Sequence, residues 1–102
     1  MNDNVIISFE MKLGKEYYNG GYVAFKKAQF DFLPNTSDID FTILRENNPD
    51  PIIGTYTYSV PSNRKFIYGK DALKDWYKRN FNLGDKLKVE ILKDRKVMLR
   101  KI

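Results

Sequence analysis

The sequence predicts a single β-rich α+β domain, most simply a small barrel. Three observations point to it. Short stretches of alternating apolar residues recur along the chain, as in Val5, Ile7, Phe9, Met11 and Leu13. Turn chemistry separates them, including Asn19-Gly20, Asn47-Asn48-Pro49-Asp50-Pro51, Pro61-Ser62-Asn63 and Gly84-Asp85. One longer stretch, Gly69 to Phe81, changes from strand to helical spacing.

The elements follow in order. Val5 to Leu13 places Ile6, Ser8, Glu10 and Lys12 opposite the apolar set, which is the pattern of a half-buried strand. Gly14 to Gly21 reads as a loop, with Asn19-Gly20 suited to a tight turn. Tyr22 to Phe25 is a short second strand. Lys26 to Leu33 predicts two turns of helix with Ala28, Phe32 and Leu33 facing inward, closed by Pro34. Ile39, Phe41 and Ile43 mark a third strand, ending at Leu44. Arg45 to Pro51 is a turn, and Ile52 to Tyr58 is a fourth strand.

A polar loop, Ser59-Val60-Pro61-Ser62-Asn63-Arg64-Lys65, leads to the short strand Phe66-Ile67-Tyr68. In the helix, Ala72, Leu73, Trp76, Tyr77 and Phe81 share one side, and Lys70, Lys74 and Lys78 lie opposite. Leu83-Gly84-Asp85 breaks it. Leu87, Val89 and Ile91 then alternate with Lys86, Lys88 and Glu90, and Asp94-Arg95 turns into a last strand from Lys96 to Lys101. The total is about seven strands and two short helices.

A chain of 102 residues suffices for one core without disulfides or metals. Apolar content of 42%, with seven Tyr, seven Phe and one Trp, excludes a disordered tail. The chain has no Cys and no His, which removes thiolate catalysis, Cys-liganded zinc and histidine-based triads. No secretory leader and no membrane-spanning stretch is visible, so a cytoplasmic location is expected.

The net charge of +5 hides a polarity. Tyr58 to Ile102 holds 13 basic residues against 5 acids, whereas Asp31 to Tyr58 holds 1 against 5. Such asymmetry suits a polyanionic partner, although a solvated basic face gives the same count. Two enzyme-like fragments are weaker. Glu10-Met11-Lys12 matches the Glu-x-Lys fragment of restriction-type nucleases, with Asp3 as its one upstream acid. Asp38 and Asp40 could pair on one face of a strand and hold a divalent ion, but keeping a strand edge soluble is the better reading. Neither makes an active site, and no metal or cofactor is expected.

Between Tyr22 and Ile91 the order of elements resembles the DNA-binding pseudobarrel family. That family includes plant B-three transcription-factor domains and effector domains of certain bacterial restriction endonucleases. The likeness rests on Tyr68-Gly69 entering the helix, on Leu73 and Trp76-Tyr77, and on Phe81-Asn82-Leu83-Gly84-Asp85-Lys86-Leu87-Lys88-Val89. Gly21-Tyr22-Val23-Ala24-Phe25 and Phe32-Leu33-Pro34 are similar to its first barrel strands and helix. Where the plant domains carry a Trp before the second arm, this chain has Tyr56 or Tyr58.

The resemblance implies an open pseudobarrel that grips the DNA major groove with two arms, the loops after the first and fourth strands. The first arm would lie within Lys12 to Lys27, offering Lys12, Lys15, Tyr17, Tyr18, Asn19, Lys26 and Lys27. The second would be Ser59 to Lys65. Arg64 can bond guanine bidentately and Asn63 adenine, while Ser59, Ser62 and Lys65 can hold phosphates. Plainer readings stay open: Pro61-Ser62-Asn63 as a simple turn, and Tyr17 and Tyr18 as packing at the barrel rim. Lys70, Lys74 and Lys78 read as a solvated face. Lys86, Lys88, Lys93, Arg95, Lys96, Arg100 and Lys101 add long-range attraction.

The leading expectation is a non-catalytic module for double-stranded DNA, as the recognition part of a restriction or regulatory system. Two alternatives are a single-stranded nucleic-acid binder and a protein-interaction barrel that docks an acidic partner.

Overall fold

Alternation along the chain gives strands that can each bury one face, and curling the sheet is how those faces find a common core. The structure, a computed structural model, describes residues 5–102. Its elements are β1 (Val5–Lys12), α1 (Lys15–Gly20), β2 (Tyr22–Ala24), a 3-10 helix (Lys27–Phe32), β3 (Ile39–Arg45), β4 (Asn48–Ser59), β5 (Arg64–Tyr68), α2 (Lys70–Asn80), β6 (Lys86–Leu92) and β7 (Lys96–Lys101). All seven strands form one sheet in the order β1-β6-β7-β3-β4-β5-β2. β3 and β7 pair in parallel, and the other neighbours are antiparallel.

β1 and β2 are the sheet's two edges. Side chains bring them together: the Ala24 N–H donates to Met11 Sδ at 3.2 Å, and the Phe9 and Phe25 rings sit 5.9 Å apart. The barrel is therefore open along one seam, as the family resemblance implies, and packing closes it in place of a ladder. Leu13, Val23, Ile43, Tyr56, Ile67, Val89, Val97 and Leu99 fill the interior. Tyr56 stacks on Phe41 at 4.9 Å and donates its hydroxyl to Pro34 O at 2.7 Å.

α2 is the plug. Leu73, Trp76 and Tyr77 are buried, and Tyr77 donates its hydroxyl to Tyr22 O at 2.9 Å. Burial pushes the Tyr77 hydroxyl far above its ordinary range. Trp76 meets Phe81 edge-on at 5.2 Å. The Gly84-Asp85 turn that follows is tied to the end of β1: Leu13 N–H donates to Asp85 O at 2.7 Å and Gly84 N–H to Leu13 O at 2.8 Å.

Four expectations are corrected. Lys15–Gly20 is a helix, not a loop with an Asn-Gly turn, so there are three helical segments. Gly21 ends it in the left-handed conformation at φ 73°, where a Cβ would lie 2.8 Å from Lys70 O. The predicted helix after β2 is a 3-10 helix that leaves Ala28 and Phe32 exposed and buries Gln29. Gln29 is held because its Oε1 accepts from Lys26 N–H at 2.9 Å. Ala72 lies at the exposed edge of the α2 face, beside the β3–β4 turn.

Finally, β4 begins at Asn48 and includes Pro49 and Pro51. β5 pairs with β4 from Thr55 to Ser59, and the register of β3 against β4 shifts between Ile43 and Arg45. The prolines thus fall on an irregular, one-sided stretch where a missing N–H is tolerated. The turn itself shrinks to Glu46-Asn47, with Asn47 left-handed at φ 61°.

Candidate nucleic-acid interface

The second arm is a short hairpin turn. Ser59 pairs with Arg64, and Val60, Pro61, Ser62 and Asn63 between them are exposed. Asn63 takes φ 51°, a conformation that Asn tolerates better than most residues. Its N–H donates to Val60 O at 3.1 Å, and Ser62 Oγ donates to Ser59 Oγ at 2.6 Å. The turn chemistry that marked this loop in the sequence builds its shape. It also leaves the Asn63 amide and the Ser62 hydroxyl at the surface.

Arg64 and Lys65 open β5, and strand alternation sends them to opposite faces. Arg64 stays outside. Its NH2 donates to Glu16 Oε1 at 3.1 Å, and its guanidinium lies over the Phe66 ring, 5.7 Å from the centroid. The hydrogen bond to Glu16, helped by Tyr17, holds the Arg64 guanidinium above its ordinary pKa. Arg64 thus joins the second arm to α1, in the first.

Lys65 goes inside and is 2% exposed. Its ammonium donates to Phe30 O at 3.0 Å, Leu33 O at 3.3 Å and Asn35 Oδ1 at 2.9 Å. The Phe30 and Tyr58 rings flank it at 5.0 and 4.9 Å. The carbonyls it meets belong to the end of the 3-10 helix, where Phe30 O also accepts from Leu33 N–H at 3.1 Å and where a cation is favoured. Burial lowers its pKa. The expectation that Lys65 holds a phosphate is corrected: it is a strut between β5 and the segment that follows β2.

In the first arm, Lys15 and Asn19 are exposed on α1. Tyr17 lines a small cleft of about 60 Å³ with Glu16, Tyr22, Arg64 and Phe66. Tyr18 is turned to the barrel, donating its hydroxyl to Phe81 O at 3.1 Å. Lys26 and Lys27 are exposed at the start of the 3-10 helix, and Phe25 N–H donates to Lys65 O at 3.1 Å just before them. The β2–β5 pairing therefore carries Lys26 and Lys27 to the base of the second arm. Lys12 is exposed on β1 opposite Lys86 and belongs to that ladder.

The sequence reading missed Glu16, Tyr22 and Phe66. Phe66 could have been found, because it lies two residues from Arg64 and so shares its face of β5. Glu16 carried no signal, since an acid among basic residues reads as mere charge balance.

The other basic surfaces differ. Lys74 sits 3.5 Å from Asp71, Lys88 3.6 Å from Glu90, and Arg100 3.0 Å from Glu90. At the β3–β4 turn, the other end of β4 from the second arm, a cavity of about 380 Å³ mixes Arg45, Arg79 and Lys101 with Asp75 and Glu46. Glu10 and Lys12 lie on one exposed face opposite Lys88 and Lys86, with Met11 buried between them; Asp3 lies outside the described residues. Asp38 is left-handed at φ 62° and donates its N–H to Tyr56 O at 2.9 Å, so it forms a bend that leads into β3 beside β4. Among the described residues no three His, Cys, Asp or Glu side chains converge as a metal site, and no helix is long and apolar enough to cross a membrane.

Solved structures share this architecture. A hypothetical protein of Arabidopsis thaliana superposes with a TM-score of 0.69 at 14% identity, over 97% of this chain and 92% of that one. The Arabidopsis FUS3–DNA complex gives 0.66 at 16% identity, over 90% and 92%. The N-terminal domain of Helicobacter pylori LlaJI.R1 gives 0.62 at 13% identity, over 91% and 78%. No family model matches the chain, and no curated protein is similar to it in sequence. The likeness bears out the pseudobarrel resemblance at the level of the fold.

Proposed function

We propose that this chain is a non-catalytic, cytoplasmic module that binds double-stranded DNA and reads the major groove with two loop arms. One observation carries the reading. Arg64, the side chain best suited to a guanine, stands at the base of an exposed turn and is bonded across to the other arm. Asn63 and Ser62 project beside it, and Lys15, Lys26 and Lys27 supply cations for the backbone. A similar fold in the FUS3 structure is solved as a complex with DNA, which supports the same use of this one. A place in a restriction or regulatory system would suit a recognition module that carries no catalytic groups of its own.

Duplex is favoured over single strand by the aromatic residues. Among the described residues Phe32 is the one exposed aromatic ring, and it lies on the 3-10 helix. A single-strand binder needs several rings on which successive bases can stack. A gel-shift series with a random-sequence duplex, the matching single strand and a heparin competitor tests the reading. Duplex should be retained best and released steeply as salt rises. Equal retention of single strand, or no retention of duplex at low salt, overturns it.

A further inference from the structure

Resting on that reading, we propose that Glu16 is a specificity-determining residue. It positions Arg64 for a base edge and turns the arm away from phosphates.

The geometry leaves Arg64 free to bind while it is held. A guanidinium has five N–H donors. One contact, from NH2 to Glu16 Oε1 at 3.1 Å, occupies one edge of the fork. The Phe66 ring covers one face, and Phe66 is itself fixed edge-on against Tyr22 at 5.6 Å. Tyr17 stands in the same cleft. The Arg64 side chain remains 44% exposed. It is thus restrained on two sides, by Glu16 of α1 and by Phe66 of its own strand β5, which Tyr22 of β2 backs, with donors to spare for a bidentate contact.

Such restraint lowers the conformational entropy that a long side chain loses on binding. It helps most where geometry is demanding, as at the paired acceptors of guanine. Glu16 acts oppositely on the backbone. Its carboxylate is 63% exposed beside the cation, so any phosphate approaching Arg64 meets a like charge. Loose electrostatic binding is weakened, whereas base reading is kept. A lysine at position 64 could not do this, because its point charge has no second edge to offer.

The two effects have opposite signs under one substitution, and this supplies the test. A preferred duplex is first selected by wild-type protein from a randomised library. Affinities for that duplex, for a random duplex and for single-base variants are then compared between wild type and Glu16→Gln. Random-duplex affinity should rise about two- to fivefold, the scale of one exposed charge interaction. Discrimination at one base pair should fall by about threefold or more. In an Arg64→Ala background the substitution should still raise random-duplex affinity but leave discrimination unchanged.

A uniform rise for all duplexes, with discrimination intact, overturns the role of Glu16 and leaves duplex binding standing. The same holds if discrimination falls equally in the Arg64→Ala background. A wild-type protein that selects no sequence from the library overturns both this proposal and the reading beneath it.

Discussion

The second arm and helix α2 are both basic and lie within one stretch of chain, yet charge plays different parts in them. On α2, Lys70 and Lys78 are exposed, whereas Leu73, Trp76 and Tyr77 are buried. Packing defines that helix, and its cations keep the outer face wet. In the arm, two consecutive cations are each placed by a specific set of contacts. Lys65 is buried against three acceptors, and Arg64 is held at the surface by Glu16 and Phe66. Counting charges makes the two regions look alike. The difference lies in which cations have a fixed geometry, and strand alternation decides that.

The comparison is broken most severely at the plug. Trp76 is 8% exposed and packs on both Tyr77 and Phe81. Trp76→Ala should destabilise the fold by about 3–5 kcal/mol, measured by denaturant unfolding. Unfolding coincident with wild type would show that α2 does not seal the core.

Next in size is the strut. Lys65→Met keeps the length of the side chain but removes the ammonium donor from Leu33 O and Asn35 Oδ1, and leaves Phe30 O with Leu33 N–H alone. The expected loss is about 2–3 kcal/mol. Its pH dependence has a definite sign. Burial lowers the Lys65 pKa below its ordinary 10.5, so between the lowered value and 10.5 the unfolded chain binds more protons than the folded one. This group's contribution to stability therefore rises as pH rises through that window. Subtracting the pH profile of Lys65→Met from that of wild type should reveal the rise. A flat difference would mean that Lys65 is as solvated as a surface lysine.

These two residues also show what was legible in the sequence. Trp76 was readable because helical spacing groups it with Leu73 and Tyr77, and periodicity is a local property. The strands were readable for the same reason. Lys65 was not, since its three acceptors come from residues 30 to 35 positions earlier. A buried lysine looks like an exposed one until the fold supplies its partners. α1 was missed on other grounds. It has six residues, none fully buried, and no side-chain cap, so neither periodicity nor capping marked it. Of the candidate site, the turn chemistry at Pro61-Ser62-Asn63 marked an exposed turn, whereas Ser59, Arg64 and Lys65 on either side of it lie in paired strands. The link from Arg64 to Glu16 spans 48 positions and is a product of the barrel.

The arm itself should show a smaller effect on energy but a sharper one on recognition. Arg64→Ala should weaken binding to a selected duplex by about 1–3 kcal/mol and relax preference at one base pair. Thermal unfolding should move little, because an exposed ion pair contributes about 0–1 kcal/mol to stability. Unchanged affinity and preference in both Arg64→Ala and Asn63→Ala would reduce the loop to a turn. The basic hairpin of β6 and β7 would then become the surface to examine.

The smallest effect should come from α2, and its smallness is what gives the arm its meaning. Lys70 and Lys78 carry the same unit charge as Arg64, so a purely electrostatic partner would respond similarly to losing any of the three. Screening at physiological salt acts over about 8 Å, which limits how far an exposed ammonium can influence a duplex held elsewhere. If α2 faces away from bound DNA, Lys70→Ala and Lys78→Ala should each change affinity by less than about 0.5 kcal/mol, equally for all sequences. The slope of affinity against salt should also be unaltered, whereas losing a true phosphate contact lowers it by about one. Fluorescence anisotropy with a labelled duplex across a salt series would measure both quantities. A lowered slope for either lysine would put α2 against the backbone and extend the interface from the arms onto the plug.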